Sequence, residues 1–450
     1  VFLSPIPIWI ILLIYQVLWV LGAVFLSPFW LLAFAFVPKF RAGFWQKMGC
    51  IPSALQARLR NLDRQRPVVW IHAVSVGEFL AIKPLAQSLL DAQMNVVIST
   101  TTQTGQRLAQ DSLGDSCIVF YFPYDFSFAV LPWLRAIRPD LVMITETELW
   151  PYFLGQVGGL SSTALYLING RLSDKSFQKY QWIKPFLSPV LSRIDHAYMQ
   201  TQADTNRLKS LLLPERRACV STMGNLKFDV PLTTTSLEST ERLKTLFNFP
   251  EGTVVLTMAS THEGEEALLL QVCYELFRDF PELRFVLAPR HPERITQVSK
   301  LLREETFRYR LRSSLSPQHP NQDKMVLVDT IGELKDIFAF SNFAIVAGSF
   351  LPHLGGHNIL EPLMTGTPVL FGPYVSNFKE IVYTVHAYEA GIQVQDMLAL
   401  KHAIVALMTQ TQEAERLRNA GFQLLAAHQG QTQQLVEAIQ KQLHWRPENL

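Results

Sequence analysis

A repeated alternation constrains this chain most. From Pro67 onward, short apolar runs are separated by longer amphipathic stretches, and the pattern is written twice. In the first pass, Val68–Val74, Asn95–Thr100, Ile118–Phe122, Leu141–Thr145 and Ala164–Ile168 read as strands, with helices expected over Glu78–Leu90 and Thr104–Leu113. In the second, Thr253–Ala259, Arg284–Ala288, Lys324–Leu327, Phe343–Ala347 and Pro368–Leu370 read as strands, with a helix over His262–Phe280. Strands alternating with helices form βαβ units around a parallel sheet. The expected fold class is therefore α/β, as two Rossmann-like halves. Open parallel sheets take ligands at the carboxyl ends of their strands. Two such halves are expected to face each other across a substrate cleft.

The segment before Pro67 differs. From Val1 to Pro38 no residue is charged, and the run is longer than the roughly 20 apolar residues that cross a bilayer as helix. A membrane-anchoring helix is expected over 1–38, followed by a basic juxtamembrane segment, 39–66, with Lys39, Arg41 and Lys47. That flank places the body on the cytoplasmic side. A cleaved signal peptide fits less well, because no basic segment precedes the apolar run. The remaining expected divisions are a first domain at 67–232, a polar linker at 233–250 and a second domain at 251–450 with terminal helices. Forty basic against 38 acidic residues leave no global bias, so no nucleic-acid partner is expected. The four scattered cysteines contain no C-x-x-C and suggest neither a zinc site nor a disulfide framework.

Several familiar signatures are missing: a Walker loop, G-x-G-x-x-G after the first strand, H-E-x-x-H, G-x-S-x-G and D-x-D. The candidates that remain lie at strand ends. Glu78 opens a helix directly after "HAVSVG". An acid there is favoured by the helix dipole alone, by about 0.3–1 kcal/mol, so a purely local role is the plain alternative. Glu146 and Glu148 in "TETELWP" follow the Leu141–Thr145 strand, where paired carboxylates suit acid–base work. Lys227 follows a Gly-Asn turn in "GNLKFD". In the second half, Arg290 in "APRHPER" stands at a strand end, where a planar guanidinium suits a phosphate. Gly355 and Gly356 lead into a helix expected from about His357, with Asn358 and Glu361 on one face. His357 and Glu361 alone are too few for a metal, and none is expected. "TIGEL" offers another glycine turn, with Ile331, Gly332 and Glu333 near the same edge.

Taken together and in order, "HAVSVGE", "TETELWP", "GNLKFD", "STHEGEE", "APRHPER" and "GGHNILEP" resemble the Kdo transferases of lipopolysaccharide synthesis. These are GT-B glycosyltransferases that move 3-deoxy-D-manno-octulosonic acid (Kdo) from CMP-Kdo to a lipid A precursor. The resemblance implies Glu78 as catalytic base, with Glu148 and Lys227 supporting the transition state. It implies CMP binding by Pro289 and Arg290, by Ile331, Gly332 and Glu333, and by Asn358, Ile359, Leu360 and Glu361. Ile331 stands where the family often has Met, and Ile359 where it often has Pro. No cofactor or obligatory metal is implied, because the donor carries one phosphate. The implied partners are CMP-Kdo, the lipid acceptor and the cytoplasmic face of a bacterial inner membrane. Two alternatives stay open on the residues alone: a UDP-sugar transferase with a lipid-linked acceptor, and a non-catalytic glycolipid-binding relative.

Overall fold

The computed structural model describes residues 7–27, 34, 41–229 and 237–445. Two compact units result, one built from 1–229 together with 430–450 and the other from 230–429.

The first unit holds a seven-stranded sheet: β1 (Val68–His72), β2 (Asn95–Thr100), β3 (Ile118–Tyr121), β4 (Leu141–Thr145), β5 (Ala164–Gly170), β6 (His196–Met199) and β7 (Val220–Thr222). The order is β3-β2-β1-β4-β5-β6-β7, and every pairing is parallel. The second unit repeats the plan with β8 (Val254–Thr261), β9 (Leu283–Pro289), β10 (Tyr309–Leu311), β11 (Met325–Leu327), β12 (Phe343–Val346), β13 (Val369–Phe371) and β14 (Gly391–Gln393). Its order is β10-β11-β9-β8-β12-β13-β14, again all parallel. In both sheets the direction of winding reverses beside the first strand, between β1 and β4 and between β8 and β12. These are the topological switch points at which such sheets bind ligands.

The central strands are largely apolar because helices cover both faces. In β1, Val68 and Trp70 enter one core while Val69 and Ile71 enter the other. In β9, Phe285 and Leu287 face one layer and Val286 and Ala288 the opposite one. This is the two-residue alternation of a strand buried on both sides.

Three expected boundaries change. The second domain was drawn to residue 450, but the helix Gln431–Gln442 belongs to the first unit. Its Leu435, Val436 and Ile439 join Phe79, Ile82 and Leu89 of the Val76–Asp91 helix in one core, and the Trp445 indole donates to Ala92 O at 2.9 Å. Asp229 fastens this return, since its carboxylate accepts from Gly430 N at 2.8 Å and from Thr432 N. The expected linker at 233–250 lies outside the described residues up to 236. Beyond them it is largely the helix Leu237–Phe247, whose Leu243, Leu246 and Phe247 are buried in the second unit. The basic segment 39–66, from Arg41 onward, is folded onto the first unit. Lys47 sits over the Tyr121 ring, Arg58 donates to Cys117 O at 2.9 Å, and Arg64 donates to Ile137 O at 2.7 Å.

Of the expected anchor, Ile8–Phe25 is one helix, the only one among the described residues long and apolar enough to cross a membrane. One stripe of it packs on the first unit. Ile11 and Leu12 are buried, and Leu12 lies so close to Gly155 that a Cβ there would come within 2.7 Å. Trp9, Leu13, Leu18, Leu21 and Val24 remain exposed.

Candidate functional site

At the β1/β4 switch point of the first unit, sequence and geometry converge on Glu78. Ser75 caps the Val76–Asp91 helix, accepting from Glu78 N at 3.4 Å, and its hydroxyl donates back to Glu78 Oε1 at 3.0 Å. This is a variant of the capping box, in which the acid accepts from the cap hydroxyl rather than from the cap N–H, so the local role of a helix-start acid is present. It does not exhaust the side chain. Glu78 Oε2 accepts from Val74 N at 2.8 Å and lies 2.8 Å from Thr145 Oγ1, at the end of β4. The same hydroxyl is 2.8 Å from His72 O. With one hydrogen, Thr145 donates to one of the two at a time.

The acids of "TETELWP" arrive at the same place. Glu146 takes a left-handed backbone, φ 55°, and donates its N–H to Ile168 O at 3.0 Å. That kink turns the chain out of β4 and delivers the carboxylate to Lys227, whose Nζ lies 2.8 Å from Glu146 Oε1. Lys227 is held by its own turn: Asn225 Oδ1 accepts from Lys227 N at 3.0 Å, and Asn169 Oδ1 accepts from Leu226 N at 3.0 Å. Glu148 completes the cluster. Burial, then the negative charges of Glu78 and Glu146, push its carboxyl up to about 7. Three carboxylates and one ammonium, drawn from segments up to 149 positions apart by chain number (Glu78 to Lys227), share one site. Carboxylates whose surroundings drive them apart are the usual equipment for proton transfer. Sequence paired Glu146 with Glu148 but assigned Glu146 no role, and Thr145 was missed altogether. The "TET" immediately after a buried strand was the available signal.

The β8/β12 switch point of the second unit is organised by another acid, Glu265. It is fully buried at the start of the Glu265–Asp279 helix, and its carboxylate accepts from His262 N at 3.0 Å, Gly348 N at 2.8 Å and Phe350 N at 3.0 Å. Burial raises its carboxyl and these three backbone donors draw it back. The loops after β8 and β12 are thereby tied together, which brings His262 Nε2 to 2.7 Å from His357 Nε2. Gly348, at φ 73°, permits this, because any Cβ there would lie 2.3 Å from the His357 ring.

Arg290 stands at the end of β9, donating its backbone N–H to Thr261 O at 3.0 Å, and its side chain is close enough to influence His262, His357 and Glu361. Desolvation raises the Glu361 carboxyl, and Asn358 and Arg290 draw it partly back. The helix expected from His357 is shorter than its pattern suggested. It runs Leu360–Met364, because Asn358 Oδ1 takes the Leu360 N–H in a turn of its own at 3.1 Å. Ile359 and Leu360 are buried. Pro289 ends β9, and Ile331–Glu333 follow β11 on the same sheet edge, two strands from β8. Ile331 is exposed, Gly332 has φ 91°, and Glu333 is engaged by Arg312 at 2.6 Å and by Thr330. Among the described residues no group of three or more His, Cys, Asp or Glu side chains is placed to hold a metal ion.

Residues 43–230 match the family model described as 3-deoxy-D-manno-octulosonic-acid transferase (kdotransferase). A 3-deoxy-D-manno-octulosonic acid transferase from Haemophilus influenzae is 33% identical over 379 residues, covering 83% of this chain and 87% of that one. Among solved structures, the C-terminal CMP-Kdo binding domain of WaaA from Acinetobacter baumannii is 27% identical, with a TM-score of 0.39 over 42% of this chain and 98% of that domain. A UDP-N-acetylglucosamine 2-epimerase shares the two-unit fold at 12% identity, with a TM-score of 0.50 over 85% of this chain and 97% of that one.

Proposed function

Since the chain belongs to the Kdo transferase family of GT-B glycosyltransferases, we propose that it transfers Kdo from CMP-Kdo to a lipid A precursor, lipid IVA, with inversion at the anomeric carbon. The observation that carries this reading is the gathering of Glu78, Glu146, Glu148 and Lys227 at one switch point. A carboxylate has about four acceptor positions. Val74 N, Ser75 Oγ and Thr145 Oγ1 occupy three on Glu78, so one is left for a sugar hydroxyl of the acceptor. Glu78 takes that proton as the oxygen attacks. Glu148, protonated part of the time at neutral pH, offers an O–H to an anionic substrate oxygen that two ionised neighbours would repel. Lys227 supplies positive charge toward the Kdo carboxylate or the phosphate.

In the second unit, Arg290 faces the donor phosphate, and Pro289, Ile331–Glu333 and Asn358–Glu361 hold the nucleotide. A leaving group with one phosphate has no pyrophosphate to bridge, so the reaction proceeds without an obligatory metal. The apolar helix Ile8–Phe25 holds the enzyme to the cytoplasmic face of the inner membrane, where confinement raises the encounter rate with a lipid acceptor. Mass spectrometry of products from CMP-Kdo and lipid IVA tests the reading: a mass increment of one or more Kdo units supports it. Binding of UDP in preference to CMP, with no Kdo transferred, sinks it in favour of a UDP-sugar enzyme.

A further inference from the structure

His262 and His357 form a pair that the reaction as described leaves unused. Their Nε2 atoms are 2.7 Å apart, and the ring planes differ by 4° with centroids 5.0 Å apart. This is an edge-to-edge hydrogen bond, in which one Nε2 carries the hydrogen and the other accepts it. The geometry therefore limits the charge. One added proton can sit on the Nδ1 of the donor ring and leave the bond intact. A second would place two Nε2–H groups against each other. The pair holds zero or one positive charge, never two.

The pair is also built rather than incidental. Glu265, fully buried, fixes the backbone on both sides of it, and Gly348 makes room for the His357 ring. Of the titratable and charged groups that face it, Arg290 and Arg294 are the permanent cations. His262 meets His291, Arg294, Arg290 and Glu266, and His357 meets Arg290 and His291. Glu266 is already engaged by Arg294 at 2.7 Å. Burial first, then the neighbouring histidines and arginines, push both rings down, His357 to about 4. At neutral pH the pair is uncharged in that field. An anion seated against Arg290 reverses the field.

We infer that the His262–His357 pair takes up one proton when a phosphate monoester dianion binds beside Arg290. The inference rests on the reading of the second unit as the CMP-sugar site, and gives that site a charge-matching element. Cleavage of the donor turns a phosphodiester monoanion into the dianion of CMP, one further negative charge. A proton drawn from solvent onto the pair offsets it. His262 and His357 are then binding residues for the leaving group, and Glu265 is the positioning residue that holds them in register.

Calorimetric titration of the full chain with CMP, at pH 7.5 in buffers of different ionisation enthalpy, reads the proton directly. Free CMP is already mostly dianionic there, since its second phosphate ionisation lies near pH 6. The expected result is uptake of about half a proton or more per CMP and none with cytidine, which lacks the phosphate. H357Q and H262Q should each bring the uptake to near zero while CMP still binds, roughly tenfold more weakly. A purely structural pair would leave the heat of CMP binding identical in every buffer, and that result in the unsubstituted protein overturns the inference without any variant. Uptake retained in H357Q overturns it too. No binding of CMP at all defeats the nucleotide reading, and the inference falls with it.

Discussion

The two units put an acid in the same topological place and use it differently. Glu78 follows β1 and Glu265 follows β8, each in the first turn of the next helix and each at a switch point. Glu265 is completely buried, and all three of its partners are backbone N–H groups. Nothing in that arrangement can rotate away. Glu78 is 8% exposed, and two of its three partners are the hydroxyls of Ser75 and Thr145, which can turn to other acceptors. One carboxylate is a fixed clamp between loops. The other is held by groups that can release it. The surroundings diverge accordingly, with two further acids and a lysine beside Glu78 and a cation-rich histidine pair beside Glu265.

Substituting the two acids in parallel tests this contrast most severely. E78Q keeps the shape and removes the base, so kcat should fall roughly 10²–10⁴-fold while the melting temperature changes little. Near-normal transfer in E78Q would reduce Glu78 to its capping role. E265Q should do the opposite first. An amide NH2 in place of an acceptor oxygen leaves backbone donors unpaired in a buried site, which costs about 1–3 kcal/mol, read as a lower denaturation midpoint. If E265Q melts like the parent, the clamp is not what holds the two loops.

A smaller effect sharpens the electrostatic half of the comparison. Glu148 has its carboxyl raised from the ordinary 4.5 to about 7. Below the ordinary value it is protonated whether folded or unfolded and costs nothing. As pH rises toward 7 the unfolded chain ionises first, so the folded state loses ground, and the loss is complete above about 7. E148Q should therefore become more stable relative to the parent as pH rises from 5 to 8. The gain is about 1 kcal/mol after allowing for partial exposure of the group. A difference that stays flat across that range would mean the acids around Glu148 do not act on it. The smallest effect concerns the seam of the first unit. D229A removes the acceptor for Gly430 N and Thr432 N. It should cost about 0.5–2 kcal/mol, as the loss of a helix cap does, with no change in CMP affinity.

The sheets were legible because strands buried on both faces must be apolar along their whole length. β2 and β4 match their expected spans residue for residue. The strands that sequence missed, β6, β7, β10 and β14, are short, only three or four residues. All but β6 also carry partly or fully exposed positions along most of their length, where no periodicity accumulates. The site was legible only in part. Glu78 and Glu148 stood out as acids at strand ends. The Lys227–Glu146 pair depends on a left-handed kink at Glu146, an energetically unfavourable conformation that no pattern announces. The His262–His357 contact joins loops 95 positions apart through an acid whose partners are backbone atoms. Such partners leave no trace in residue identities. The helix expected from about His357 begins only at Leu360 because Asn358 competes for the first free N–H, a contest between side chain and backbone that helical periodicity does not weigh.

The return of the last helix to the first unit also has a consequence in time. During synthesis the chain from 41 to 229 leaves the ribosome early, with Phe79, Ile82 and Leu89 on a helix whose covering partner does not yet exist. The whole of 230–429, a continuous unit, is made in the interval. The helix that carries Glu78 is sealed only when Leu435, Val436 and Ile439 emerge. A ribosome that stalls before residues 431–442 are made therefore releases a chain whose second unit is complete and whose acid cluster rests on an uncovered helix, the kind of exposed apolar surface that quality control recognises.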